Sequence, residues 1–102
     1  MGTNRRYAHV VDKRMDDRIL GQVARDGELQ CLTAEELELT RLPLTIDPHP
    51  QPCRAWVRFG ATAVQVDAKI DRWTPRAIGI RFMVMEREMR TWVWASAVER
   101  SS

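Results

Sequence analysis

The sequence predicts a small α+β protein, an antiparallel β-barrel of about five strands preceded by a helical N-terminal arm. Three observations predict it. A four-residue apolar repeat runs through the first 25 positions, four prolines crowd residues 43–52, and apolar and polar residues alternate from Cys53 onward. The expected division is an arm over 1–42, a Pro-rich linker over 43–52 and a barrel over 53–102.

In the arm, Val11, Met15, Ile19 and Val23 repeat every four residues, with Ala8 extending the stripe, which predicts a helix from Tyr7 to about Arg25. Asp26-Gly27 supplies its stop, since glycine enters the left-handed region at little cost. Such a stripe needs an apolar partner, either the barrel or a second copy of the chain. Next, Thr33 and Glu36 have the spacing of a capping box, with Leu32 and Leu37 as its hydrophobic staple, predicting a short helix over roughly 34–40. Pro43, Pro48, Pro50 and Pro52 then favour an extended connector, because proline fixes φ and removes a donor.

In the barrel region, Cys53, Ala55, Val57 and Phe59 alternate with Arg54, Trp56 and Arg58. Val64, Val66, Ala68 and Ile70 repeat the pattern after Gly60-Ala61-Thr62, and Ile78, Ile80, Phe82 and Val84 repeat it after Thr74-Pro75. A fourth strand over Arg90–Ala95 completes an antiparallel meander, whose long strands are expected to coil and close.

The closing stretch, Thr91-Trp92-Val93-Trp94-Ala95-Ser96-Ala97-Val98-Glu99, resembles the end of an SH3-like barrel, where a strand passes through one tight turn into a short last strand. The resemblance covers about half the chain. It implies a barrel but not proline-peptide binding, because the single tyrosine, Tyr7, lies in the arm. More broadly, the chain resembles small uncharacterised proteins of actinobacteria and their phages or mobile elements. The similar segments are Met1–Tyr7, Leu32–Leu39, Trp73–Ala77 and Trp92–Val98, and they imply a complete protein without implying a mechanism.

At 102 residues, with 44% hydrophobic and 29% charged residues, the chain has material for one globular core. No apolar run approaches a membrane span, and the start, Met1-Gly2-Thr3-Asn4-Arg5-Arg6, lacks the apolar stretch of a secretory signal. A cytoplasmic protein with reduced thiols at Cys31 and Cys53 is therefore expected. His9 and His49 stand apart from any ligand cluster, so no metal is expected. There is no Gly-rich phosphate loop, and neither cysteine has a neighbouring base. Arg14 and Arg18 have the spacing of the arginines in cyclic-dinucleotide-binding PilZ domains. However, the Asp/Asn-x-Ser-x-x-Gly element those domains need does not follow, and a solvated helix face explains the pair. The expectation is a non-catalytic protein without a cofactor.

One surface stands out for binding. If Val57 and Phe59 point inward, then Arg54, Trp56 and Arg58 point outward, joined by Lys69 and Arg81, while Arg90, Trp92 and Trp94 share one parity on the fourth strand. Guanidinium groups can pair with phosphates and indoles can stack on bases. Arg–Trp stacking is equally an ordinary sheet contact, and Trp92 and Trp94 can instead belong to the core with Thr91 and Val93 outside. The charge is split: residues 1–50 carry seven basic against nine acidic side chains, and residues 51–102 carry nine against five. The leading expectation is a binding or adaptor protein for a protein partner or for self-association. A nucleic-acid-binding accessory role is the alternative.

Overall fold

A computed structural model describes residues 18–100. Helices α1 (Arg18–Asp26) and α2 (Ala34–Leu37) precede strands β1 (Thr45–Phe59), β2 (Thr62–Trp73), β3 (Ala77–Val84) and β4 (Arg87–Trp94). A 3-10 turn (Ala95–Ala97) then leads into β5 (Val98–Arg100). The strands form one antiparallel sheet in the order β4-β3-β2-β1-β5.

The alternation places the core as expected. Cys53, Ala55, Val57 and Phe59 of β1 face Val64, Val66, Ala68 and Ile70 of β2, and all are buried together with Ile78, Ile80 and Phe82 of β3. Phe59 and Phe82 meet edge to face at 6.3 Å, the arrangement favoured by aromatic quadrupoles. Between β2 and β3, the buried Thr74 hydroxyl accepts from the N–H groups of Arg76 and Ala77, which fixes the turn that Thr74-Pro75 signalled.

Residues 45–52 are strand rather than linker. Thr45 and Ile46 pair with Trp73 and Arg72, the register then breaks, and the ladder resumes at Gln51–Ile70. Pro48 and Pro50 fall inside the break, where no rung asks for the N–H they lack.

α1 also differs from its sequence-based reading. Leu20 and Gly21 are buried and Val23 and Ala24 pack on the core, whereas Ile19 is 44% exposed. The docking face is thus turned from the Ile19 stripe toward Leu20. Gly21, with no side chain, faces Met85 at the β3–β4 turn, where a Cβ would lie 2.8 Å from Met85 Cγ. Ala8, Val11 and Met15 lie outside the described residues. In α2 the capping box is present, with Glu36 N donating to Thr33 Oγ1 at 3.1 Å and Thr33 N donating to Glu36 Oε1 at 2.9 Å. The helix ends at Leu37 because Glu38 turns left-handed, and the N–H groups of Arg41 and Leu42 donate to the Glu38 carbonyl instead.

The sheet is open, not a closed barrel, with β4 and β5 at its edges. A crossing segment, residues 28–32, spans part of the gap. Gly60 N donates to Glu28 O at 2.7 Å and Gln30 N to Arg58 O at 2.8 Å, tying the segment to the end of β1. Leu32 N donates to Trp92 O at 3.2 Å, and the Thr91 hydroxyl donates to Gln30 O, tying it to β4. The segment passes so close to β1 that a Cβ on Gly27 would stand 2.7 Å from Phe59 O.

Candidate functional site

All eight residues singled out on the sheet have outward parity. Arg54, Trp56 and Arg58 alternate with buried neighbours on β1, as do Lys69 on β2 and Arg81 on β3. On β4 the open question of parity resolves: Thr91 and Val93 are buried, while Trp92 is half-buried and Trp94 is 41% exposed. The cross-strand partners explain this choice. Trp92 stands opposite Gly79, whose open face it shares with the Arg72 stem, and Trp94 stands opposite the small Ala77. Thr91 turns inward because its hydroxyl has an acceptor there, the Gln30 carbonyl.

The eight residues do not form one cluster. Arg54 belongs to a rung with Asp67, and its Nε lies 3.4 Å from Asp67 Oδ1, close enough for ion pairing but not aligned as a hydrogen bond. Trp56 stands opposite Gln65 and Arg58 opposite Ala63 at the hairpin end, where Arg58 donates to Ala61 O. Lys69, Arg81 and Arg90 form a second group, a single row across β2, β3 and β4 in direct register. Glu88 serves two of the three, at 3.1 Å from Arg90 and 4.0 Å from Arg81.

A feature that periodicity does not reveal lies beside this row. The β2–β3 ladder ends at the Lys69–Arg81 rung. Beyond it the N-terminal half of β2 stays with β1 and the C-terminal half of β3 stays with β4, so the two strands part. The wedge between them is a cleft of about 1180 Å³ lined by Val66–Lys69, Arg81–Met83, Leu20 of α1 and the Met85-Glu86 turn. Its apolar side chains include Met83 and Met85, 55% and 58% exposed. Only a strand register could have shown it, because the alternation of both strands continues without interruption past the point where they separate.

Cys53 borders the cleft and is buried, and burial raises its thiol pKa from 9.0 to about 11, with nearby Arg100 opposing and Asp67 adding to the shift. A thiol held neutral in this way is a poor nucleophile. Cys31 is exposed. Among the described residues there is no group of three or more His, Cys, Asp or Glu placed to hold a metal ion, and no helix long and apolar enough to cross a membrane. No protein-family model, curated protein or solved structure matches this chain.

Proposed function

We propose that this chain is a non-catalytic, cytoplasmic protein-binding module that takes an extended segment of its partner into the wedge between β2 and β3. The observation carrying this reading is the early end of the β2–β3 ladder. Beyond the Lys69–Arg81 rung, each strand lacks a neighbour on the edge facing the other, and these edges flank a cleft with exposed methionine walls. Unpaired strand edges recruit extended peptides through main-chain hydrogen bonds, and adjacent apolar pockets select their side chains. Methionine suits such a wall because its flexible thioether adapts to varied partners. The segment can equally come from a second copy of this chain, which is the self-associating form of the same reading.

The finer fold assignment is also a proposal: the strand order is that of an SH3-like barrel whose β4 and β5 edges do not close on each other. Its support is the return of β5 beside β1, together with the 3-10 turn before the last strand and the crossing segment that partly closes the gap.

Peptide-library selection followed by amide hydrogen exchange tests the wedge. Selected peptides should slow exchange within 66–68 and 82–84, and Met83→Asp should weaken them at least tenfold with no change in melting temperature. Protection confined to other strands, or indifference to Met83→Asp, would overturn the reading. Sedimentation equilibrium of the free protein distinguishes a foreign segment from a second copy.

A further inference from the structure

We propose that the cation row Lys69–Arg81–Arg90, which starts at the mouth of the wedge and runs away from it across β4, binds single-stranded nucleic acid together with the indoles of Trp92 and Trp94 beside it. The inference rests on strand register and does not require the wedge to take a peptide, although Lys69 and Arg81 border both. Like charges directly opposite one another in an antiparallel pair are destabilising, yet here three cations occupy successive positions of one row. Glu88 is shared between Arg81 and Arg90, and Lys69 forms no ion pair among the described residues. Within the row the three cations share one carboxylate, and the nearby Asp67 is paired with Arg54, so the row keeps an excess positive charge that an anion crossing it would relieve.

The indoles specify which anion. Along β4, Arg90, Trp92 and Trp94 point the same way at intervals of about 6.8 Å, two residues of an extended strand. A Cβ on Gly79 would lie 2.5 Å from Arg72 Cγ and 3.5 Å from Trp92 Cε2, so the Arg72 stem and the indole edge share the space over the glycine, which brings a further guanidinium beside the ring. Ala77, opposite Trp94, is likewise small. A cationic track flanked by ring faces is the combination that single strands use, with phosphates on the charges and unpaired bases on the rings. A duplex keeps its bases stacked on each other, and an acidic peptide would use the charges but not the rings.

Titration of the full chain with oligo(dT), followed by tryptophan fluorescence at several salt concentrations, tests the proposal. Saturable quenching is expected, with a slope of log affinity against log salt of about −2 for three phosphate contacts to a single strand. The double variant Arg81→Ser/Arg90→Ser should bring the slope to about −0.7. Trp94→Leu should lower affinity about tenfold and leave the slope unchanged, which a merely electrostatic patch would not do. Met83→Ala, which cuts back the wedge wall without adding charge beside Arg81, should leave affinity and slope unchanged, so failure of the wedge and failure of this surface remain distinguishable. Each variant is checked for an unchanged melting curve, and Lys69→Ser, at the exposed end of the row, substitutes if the double variant unfolds. Absence of saturable quenching at low salt, equal competition by polyglutamate, or a slope indifferent to the arginines would overturn the proposal.

Discussion

Cys53 pairs across the sheet with Ala68 on one side and Arg100 on the other, and its thiol is held neutral by burial up to a pKa of about 11. Between pH 9 and 11 the unfolded chain loses this proton before the folded one does. The unfolded state then binds fewer protons, and stability falls as pH rises through that window. A shift of this size corresponds to about 2–3 kcal/mol at its upper end. The stability advantage of the native chain over Cys53→Ala, measured by urea unfolding, should therefore shrink between pH 8 and pH 11. At pH 8 a thiol reagent should label Cys31 without labelling Cys53. The small residues opposite the indoles matter at the same scale. Alternation alone left Trp92 and Trp94 open to either face, because parity is relative until one residue is anchored. Gly79 and Ala77 were visible in the sequence, but their pairing with the indoles depends on register, which no local pattern fixes.

Among the elements, the strands of the second half were legible because each buries one face and so must alternate. The Pro-rich stretch was not, since proline reads as a connector unless the strand it joins has an irregular ladder to accept it. The docking face of α1 was not legible either. Ile19 and Leu20 are both apolar, and the close approach of Gly21 to Met85, a contact between distant elements, settles which one turns inward. The β3–β4 turn carries the sharpest local conflict. Val84 pairs with Arg87, so Met85 and Glu86 are its two central residues, with φ of 49° and 70°. Two positive φ values define the hairpin turn that glycine and asparagine prefer, and other residues there cost about 1–2 kcal/mol each. Glu86→Gly should consequently stabilise the fold by about 1 kcal/mol in thermal or urea unfolding, with Met85 keeping its place against α1.

At the scale of the whole molecule, residues 28–32 do what a further strand would do in a closed barrel. They join the end of β1 to β4 through backbone hydrogen bonds, and the Thr91 hydroxyl adds a contact spanning 61 positions of sequence. Nothing in Glu28-Leu29-Gln30 announces this role, because five residues are too few for a period and their partners lie on two separate strands. Gly27 sets how closely the segment can pass. A Cβ there would lie 2.7 Å from a backbone oxygen that cannot rotate away, so Gly27→Ala should destabilise the protein by about 1–3 kcal/mol. A change confined to a few tenths of a kcal/mol in urea unfolding would show that the crossing can move outward freely.

The early end of the β2–β3 ladder also bears on how the chain reaches its native state. β1–β2 and β3–β4 are hairpins whose partners are close in sequence, and only four rungs, from Lys69–Arg81 to Trp73–Ile78, connect them. Hairpins of this kind form within microseconds, whereas contacts between distant positions must first overcome loop-closure entropy. The order that follows is two hairpins first, their short shared ladder next, and the long-range contacts from Gln30 to Thr91 and from β5 to β1 last. Interactions made after the rate-limiting step leave the folding rate almost unchanged and set the rate of escape. The crossing segment and β5 would then act as latches, governing how long a folded molecule stays folded rather than how quickly it forms.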